Sequence, residues 1–434
     1  MKQQLQLEVR DSLEAVPAAH WNALCDDGNP FLRHEFLHTL DQTGCLGEST
    51  GWYPRYFLLW DGDEDSRELI GGVPAYVKTN SYGEFVFDWA WAEAYERHQM
   101  EYYPKLVSSI PFTPATGQRL LVRADQPYEQ TVSLMARAVR QFADSQGYSS
   151  VHYLFLTERE SAILSAVEPV ATDQQAESAS EDGTAPATSG DDAAQTAGES
   201  EQPPQANDHL KRIDCQYHWQ NDNYSDFDDF LALCTSRRRK TLRRERRHVS
   251  DAGLRLEQRL GSSLSQTEWR WVHRFYESTF DRKWGNPSLT LAFFETIGKK
   301  MGDQVLIVFA FDDEDEQPEW PVACSVMFIG DSTLYGRYWG CRRDYHSLHF
   351  EACYYQGIEY CIANGIARFE PGAQGEHKIT RGFLPTITRS AHYVAHPGFR
   401  DAIADFLSQE RPYIEQRCSG LADLLPFKAE TLSL

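Results

Sequence analysis

The chain has 434 residues, 41% of them hydrophobic and 13% aromatic, which is enough for two or three domains with a substantial core. No uninterrupted apolar run reaches the roughly 18 residues of a membrane helix. The first nine residues alternate apolar and polar side chains without the apolar centre of a signal peptide. We therefore expect a soluble, cytoplasmic protein. Its net charge of −22 does not exclude an anionic ligand, because local patches decide such binding.

The acidic charge is concentrated between residues 167 and 208. This segment carries ten acidic residues and no lysine or arginine, and alanine is nearly its only apolar residue type. Such a composition cannot bury enough apolar surface to offset its chain entropy. We predict a disordered acidic insertion, and the rest of the chain is only moderately acidic.

Nine cysteines occur, an odd number, and no two form a Cys-x-x-Cys pair. Most have apolar neighbours in the sequence. Reduced thiols buried in a cytosolic protein are the simplest interpretation.

The first part of the chain reads as a β-rich unit closed by a helix and a strand. Alternation of apolar residues predicts strands, and amphipathic spacing bounded by Asn, Gly or Pro predicts helices. The predicted strands cover residues 5–9, 53–60, 69–77, 85–89, 119–122 and 151–156, and the predicted helices cover residues 16–25, 30–40 and 128–142.

The second part repeats the mixture of helices and strands. Predicted strands cover residues 212–219, 304–311, 322–329, 333–339 and 366–369, and predicted helices cover residues 227–234, 269–280, 289–299, 350–363 and 397–410. Residues 236–247 stand out with eight cations in twelve residues. Arg239, Lys240 and Arg243 in this run are candidates for binding phosphate or nucleic acid. The alternative is a solvated helix.

The most unusual stretch runs from residue 367 to residue 383. A strand end is broken by a proline and two glycines, and six polar residues follow: Glu370, Gln374, Glu376, His377, Lys378 and Arg381. Lys378 and Arg381 share a face in a helical turn, which suits an anionic group. A satisfied turn with a local ion pair is the structural alternative.

The two parts of the chain follow a similar order. Residues 71–77, 85–91, 102–104 and 111–117 in the first part parallel residues 322–329, 334–340, 354–356 and 369–375 in the second. The shared order is a hairpin strand, an aromatic strand, a Tyr-Tyr segment and a Pro/Gly loop. This order indicates a duplication.

Several of these segments resemble the FemAB-like family of bacterial N-acyltransferases, which is associated with peptidoglycan biosynthesis. In the second part the resemblance rests on residues 350–356, 369–378 and 381–385. In the first part and at the start of the second it rests on residues 87–91, 102–106, 111–114 and 216–221, with cations at 239–240 and 246. It covers nearly the whole chain outside 167–208.

The resemblance implies an α+β fold with two tandem GNAT-like domains. We expect them at residues 1–166 and 209–434, on either side of the insertion at 167–208. It also implies transfer of an acyl or aminoacyl group to a small-molecule or peptide amine. The Gln/Arg-x-x-Gly-x-Gly/Ala loop that usually holds the acetyl-CoA pyrophosphate is not found. Acyl-CoA and aminoacyl-tRNA both stay open as donors, and no firmly bound cofactor is expected.

This chemistry requires a base, an orienting site and stabilisation of an oxyanion. Asp88, Glu370 and His377 are the candidate catalytic residues. His377 has a suitable ordinary pKa, whereas Glu370 would need burial to raise its own. Lys378 and Arg381 would hold phosphate or carboxylate, and Gln374 and Glu376 would contact the substrate. Tyr335 and Tyr338 precede the helix and could line the pocket.

Two alternatives complete the sequence interpretation. His346, His349 and Glu351 offer metal-ligand types, but their spacing matches no established zinc motif, and we expect no metal. The other alternative is a non-catalytic protein that keeps the tandem fold and recognises a nucleotide-sugar or RNA.

Overall fold

The structure is a computed structural model that describes residues 5–25, 28–63, 66–166, 209–281 and 286–428. The segment predicted as a disordered acidic insertion, residues 167–208, lies outside these ranges. Within them, the chain forms a mixed sheet of thirteen strands together with twelve α-helices. The predicted α+β class is confirmed.

The strands carry most of the architecture. Their bounds are β1 Leu5–Arg10, β2 Trp52–Asp61, β3 Glu68–Lys78, β4 Lys105–Ser108, β5 Leu121–Val122, β6 Ser150–Leu156, β7 His209–Gln220, β8 Leu254–Leu260, β9 Val305–Asp312, β10 Ala323–Ile329, β11 Thr333–Cys341, β12 Arg368–Glu370 and β13 Leu384–Val394.

The helices fill the connections between these strands. Their bounds are α1 Ala18–Asn22, α2 His34–Gln42, α3 Trp89–Arg97, α4 Tyr128–Ser145, α5 Glu158–Leu164, α6 Phe227–Leu233, α7 Ser236–Asp251, α8 Gln266–Asp281, α9 Leu291–Met301, α10 Leu348–Phe350, α11 Gln356–Asn364 and α12 Pro397–Ala422. A π-helical turn, Glu351–Tyr355, joins α10 to α11.

The sheet contains the same arrangement twice. Strands β1 to β4 are antiparallel neighbours with β6 parallel to β4, and strands β8 to β11 are antiparallel neighbours with β12 parallel to β11. This repeat confirms the expectation of two GNAT-like α+β units. The predicted boundaries at residues 166 and 209 stay a prediction.

The last strand of each repeat is exchanged with the other repeat. Strand β7 follows β6 in sequence but pairs with β12, and β13 follows β12 but pairs with β6. The two exchanged strands pair with each other from Tyr393↔His209 to Leu384↔His218. The centre of the sheet is therefore built from both halves of the chain.

The hydrophobic core also joins the halves. Phe31 and Phe36, at the start of the chain, contact Phe328 and Phe293 with ring centroids 4.9 and 5.6 Å apart, respectively. All four rings are nearly inaccessible to solvent. Burying side chains of this size contributes about 1.5 to 3 kcal/mol each, so this contact holds the two repeats together.

The strand predicted at 85–89 is wrong. Residues 85–86 form a bend with Phe85 at φ +61°, residues 87–88 are irregular, and α3 begins at Trp89. The apolar residues of this segment mimic a strand, but Phe87 and Trp89 are 51% and 37% exposed. The strand next to β3 is instead β4, Lys105–Ser108.

Other predicted elements change in extent or in partner. Strands β8 and β13 carry β-type alternation but were not among the predicted elements. The predicted correspondence between the two repeats holds for β3 and β10. Residues 334–340 lie in β11, which takes the position that β4 has in the first repeat; residues 85–91 do not take that position. Helix α12 continues past the predicted end at residue 410, through Pro412.

A membrane-crossing helix is absent from the described ranges, since none of their helices is both long and apolar enough. All nine cysteines are free thiols.

Candidate active site

The polar stretch predicted at 367–383 begins at the end of β12. This short strand lies between β7 and β11 and ends at Glu370. Gly372 and Gly375 adopt φ values of +98° and +114°, which turn the chain into a short 3-10 helix, Glu376–Arg381. Glycine suits these positions because side chains disfavour positive φ. Glu370 is therefore the last residue of β12, directly before this turn.

The Glu370 carboxylate is 4% exposed and poorly compensated. The Thr116 backbone N–H lies 3.4 Å from Oε2, and Oε1 has no hydrogen-bond partner among the described residues. Arg368 Nε lies 3.2 Å from Oε1, in a geometry that does not make a hydrogen bond. Burial raises the pKa of Glu370 to about 7 against the opposing effect of Arg368. A carboxyl group in this range can accept a proton at neutral pH.

The His218 ring faces the same carboxylate. Its Nδ1 lies 4.0 Å from Glu370 Oε1, and its Nε2 donates to Gln216 Oε1 at 3.3 Å. The Gln216 amide is oriented by its own donation to Pro114 O at 3.1 Å. Burial lowers the pKa of His218 to about 3, so the ring is neutral with an unprotonated Nδ1. Two acceptors, Glu370 Oε1 and His218 Nδ1, therefore lie side by side.

Two cavities lie near these acceptors, and both are lined by Gln216. The smaller, about 10 Å³, has room for one water and is lined by Pro114, Ala115, Gln216, Tyr335, Gly336, Arg337, Glu370 and Gly372. The larger, a groove of about 310 Å³, runs along β7 and β13 and also borders Gln216. Residues 373–376 form one of its walls. Gln216 and the 371–375 loop thus separate the groove from Glu370.

The Lys378 side chain holds this loop. Its Nζ donates to Gly372 O at 2.6 Å, and the residue is only 2% exposed. It makes no ion pair with a carboxylate in the described parts of the chain. Burial lowers the pKa of Lys378 to about 7. The geometry makes Lys378 a residue that positions the loop after Glu370.

The other polar residues of the loop are more exposed. His377 Nε2 lies 2.9 Å from the Tyr354 hydroxyl, and burial with Arg381 and Lys378 lowers its pKa. Glu376 forms an exposed ion pair with Arg417 at 2.8 Å. Gln374 and Glu376 line the groove, whereas His377 does not.

Arg381 is fully engaged within the protein. It makes a bidentate ion pair with Glu245 at 3.1 and 2.7 Å, and it donates to His377 O at 2.7 Å. Its guanidinium also lies 3.5 Å from the Phe350 ring centroid. These contacts favour the structural alternative over the predicted anion-binding role.

Tyr335 and Tyr338 lie on β11, beside the small cavity. Tyr335 is buried, lines this cavity and packs on Phe31 at 5.1 Å. Tyr338 packs on Tyr276 at 5.0 Å and does not line it. Of the two tyrosines, only Tyr335 is placed next to Glu370.

Asp88 belongs to a different cluster, in the first repeat. It accepts from Tyr102 at 2.6 Å and pairs with buried Lys105, which also contacts Glu84 at 2.9 Å. Burial opposes ionisation, but the Lys105 ammonium holds the pKa of Asp88 well below its usual range. These contacts hold Asp88 in a buried ion pair with Lys105.

The basic segment forms helix α7, whose cations divide between two faces. Arg239 donates to Cys234 O at 3.1 Å, and Arg243 pairs with Asp228 at 2.8 Å. A second face carries four exposed cations at helical spacing, which we call the basic stripe: Arg237, Lys240, Arg244 and Arg247. None of the four side chains has a partner among the described residues. Of the predicted phosphate-binding residues, only Lys240 lies on this stripe.

The residues offered as a metal alternative do not converge. Glu351 forms an ion pair with Arg246 at 2.9 Å, and His346 contacts Ser347. No group of three or more His, Cys, Asp or Glu side chains in the described ranges is placed to hold a metal.

Sequence reasoning missed several residues of the site. His218, Gln216 and Thr116 surround Glu370, but they come from distant parts of the chain. In the sequence, Gln216-Tyr217-His218 contributes only to the family resemblance. Its alternation places residues 216 and 218 on one face of β7, and only the pairing with β12 reveals that Glu370 lies there.

The family model of FemAB-like proteins, described as peptidoglycan biosynthesis/recognition, matches residues 12–184 and 189–429. No curated protein sequence matches the chain. The solved structure of FemX is 10% identical, covers 89% of this chain and 98% of its own, and has a TM-score of 0.48. The structure of L-PGS from Bacillus licheniformis is 9% identical, with coverages of 85% and 93% and a TM-score of 0.44.

A tandem GNAT protein from the clavulanic acid biosynthesis pathway is 9% identical, with coverages of 91% and 99% and a TM-score of 0.40. These identities are too low to transfer an activity, so the assignment rests on the family match. That match spans nearly the whole chain and includes the central strands and the Glu370 loop. The chain therefore belongs to the FemAB-like family, a membership that points to an aminoacyl or acyl transferase.

Proposed function

We propose that the protein forms an amide by transferring an acyl or aminoacyl group to an amine, with Glu370 as the general base. The observation that carries this proposal is the buried, poorly compensated Glu370 carboxyl beside a cavity. An amine acceptor is an ammonium ion at neutral pH and must lose a proton before it can attack. A base with a pKa of about 7 accepts that proton readily.

The paired acceptors explain how the ammonium would be oriented. Glu370 Oε1 and His218 Nδ1 lie 4.0 Å apart, and both can accept N–H bonds. An ammonium placed between them donates to both and passes one proton to Glu370. The freed amine lone pair then attacks the acyl carbonyl carbon. As the tetrahedral intermediate collapses, the nitrogen gives up a second proton, and the donor's leaving group departs with the electrons of the broken ester or thioester bond and takes up that proton. The amide keeps the acyl group, and the proton held by Glu370 is released to solvent.

Access to Glu370 requires movement of the loop. The small cavity holds about one water, while the groove on the other side of Gln216 is large enough for part of a substrate. The loop turns at Gly372 and Gly375 and is held by Lys378. In the proposal, this loop opens to join the groove to Glu370.

We propose aminoacyl-tRNA as the donor, with acyl-CoA as the alternative. The basic stripe supports this choice because four cations without a partner among the described residues extend over about 15 Å of one helix face, in a strongly acidic chain. Such a face suits a nucleic-acid backbone. The sequence also lacks the loop that usually holds the acetyl-CoA pyrophosphate, which favours aminoacyl-tRNA over acyl-CoA.

The acceptor and the location belong to the same proposal. The family description favours an amine of a peptidoglycan precursor, and the nine free thiols agree with a reducing cytoplasm. The second candidate is a recognition protein without turnover, because that description also includes recognition. It would bind a nucleotide-sugar or RNA at the same surfaces.

The test compares Glu370→Gln with Glu415→Gln, a matched change at an exposed position of α12 that lines neither cavity. Each protein is incubated with charged total tRNA or acetyl-CoA and a panel of amines, and amide products are measured by mass spectrometry. We expect Glu370→Gln to lose about 100-fold or more in rate, and Glu415→Gln to keep most of it. Equal rates for wild type and Glu370→Gln would contradict the role of the base. Absence of product from the wild type, with RNA or nucleotide-sugar bound, would favour recognition.

A further inference from the structure

We infer that Asp214 binds a second cationic group of the acceptor, so that the acceptor class is a diamine or an amine carrying another basic group. This inference rests on the proposed function, because it places the reacting amine of the same molecule at Glu370. It assigns a role to the groove, which the transfer chemistry alone leaves undefined.

The position of Asp214 follows from the geometry of β7. Residues 212, 214, 216 and 218 alternate along the strand and therefore share one face. Asp214 borders the groove, Gln216 borders both cavities, and His218 lies 4.0 Å from Glu370. Four residues of strand span about 13 Å, so one extended ligand can reach from Asp214 to the acceptor pair.

Asp214 has no counter-ion among the described residues. The arginine that lines the groove, Arg417, pairs with Glu376 at 2.8 Å. Arg212 and Arg389, which line a neighbouring cavity together with Asp214, pair with Glu410 at 2.7 Å and with Glu158 at 3.0 Å. Among the described residues, Asp214 accepts a single hydrogen bond, from the Cys215 backbone N–H at 2.7 Å. No cationic side chain pairs with it in the described parts of the chain. A ligand cation would supply the missing partner.

The rest of the groove suits the apolar linker of such a molecule. Val86, Phe87 and Phe155 form an apolar wall opposite the polar strand residues. A methylene chain between two amino groups would lie along this wall, with one cation at Asp214 and the other at Glu370. An acceptor with a carboxylate in place of the second cation would meet Asp214 with like charge and bind poorly.

The experiment measures binding by isothermal titration calorimetry, without any donor. The probes are linear diamines from putrescine to diaminooctane and monoamines of the same chain length. The proteins are wild type, Asp214→Asn and Asp222→Asn, an exposed carboxylate just beyond β7 that serves as the matched control. We expect one diamine length to bind wild type about tenfold or more tightly than its monoamine, because the second ammonium makes a charge-assisted bond. Asp214→Asn should remove that preference, and Asp222→Asn should keep it.

Equal binding of diamines and monoamines to wild type would overturn the inference. So would equal losses in Asp214→Asn and Asp222→Asn. Once a donor is found, Asp214→Asn should raise KM for the diamine with little change in kcat, whereas a merely structural defect would lower kcat for every acceptor. Retention of turnover by Glu370→Gln would contradict the role of Glu370 as general base but would leave the diamine preference intact. Failure of the proposed function and failure of the Asp214 inference are therefore distinguishable.

Discussion

The two repeats each bury a carboxylate near the centre of the sheet, but they compensate it differently. Asp88, in the first repeat, pairs with Lys105 and accepts from Tyr102. Glu370, in the second, accepts a long hydrogen bond from the Thr116 N–H and has the Arg368 side chain nearby without a hydrogen bond to it. The pKa of Asp88 is lowered, and that of Glu370 is raised to about 7.

The difference shows how burial can serve structure or chemistry. The Lys105 ammonium holds Asp88 in its ionised form, so Asp88 fixes neighbouring segments in place and does not exchange a proton at neutral pH. A buried carboxyl with an open oxygen beside a cavity is costly to ionise, and it can accept a proton from a ligand. The predictions below test this contrast.

The largest effect is expected from Lys105→Met. This change leaves Asp88 and Glu84 buried without their shared cation, which costs about 3 to 5 kcal/mol of the free energy of unfolding. Chemical denaturation measures the loss. Lys299→Met, at an exposed position of α9, is the control and should change stability little. A similar small effect for Lys105→Met would mean that the cluster does not compensate Asp88.

In contrast to Lys105→Met, Glu370→Gln is expected to increase the free energy of unfolding at alkaline pH. The folded-state pKa of Glu370 is raised from 4.5 to about 7, so the folded protein retains a proton that the unfolded chain releases between these values. Wild-type stability therefore falls as pH rises through this window. Above pH 7 the variant should be more stable by about 3 kcal/mol, and the difference should vanish below pH 4.5. A constant difference across pH would contradict a raised pKa.

A smaller effect is expected on the basic stripe. Changing Arg237, Lys240, Arg244 and Arg247 to serine should reduce the slope of log affinity for tRNA against log salt by about 3 units, if all four contact phosphates. Filter binding at several salt concentrations measures this slope. Arg243→Ser, which removes an arginine already paired with Asp228, is the control. An unchanged slope in the fourfold variant would exclude the stripe as the RNA contact.

The smallest effect is expected in the loop. A Cβ at Gly372 would meet no atom closer than 3.6 Å, so only its φ of +98° opposes alanine. Gly372→Ala should therefore cost about 1 to 2 kcal/mol of the free energy of unfolding and disturb the position of Glu370. Gly420→Ala, in helix α12 with open space around it, should instead stabilise by about 0.5 to 1 kcal/mol. Thermal denaturation of both variants measures the difference.

The sequence was informative where the chemistry is local. The glycines and polar residues of 370–381 indicated a site, and burial of Glu370 was named as the condition for its activity. The strand at 85–89 was wrong because its aromatic residues are exposed near the groove rather than packed in a sheet. Local alternation cannot distinguish these two situations.

The rest of the site depends on contacts between distant residues. Arg381 was predicted to bind a ligand, but its partner Glu245 lies in the basic helix and was not predictable from spacing. The exchange of β7 and β13 brings His218 beside Glu370, and no local pattern encodes that exchange. For the same reason, the sequence alone indicates no role for Asp214. Its role follows from its position in the groove and from the lack of a cationic partner among the described residues.

The most direct test of the account is the pH dependence of kcat/KM for amide formation, measured in wild type, Glu370→Gln and Glu370→Asp. The account predicts that the wild-type rate rises with pH through an apparent pKa near 7, that Glu370→Gln removes this transition, and that Glu370→Asp restores a weaker one. The same rising transition in Glu370→Gln as in wild type would show that another group carries the proton, and would contradict the central claim.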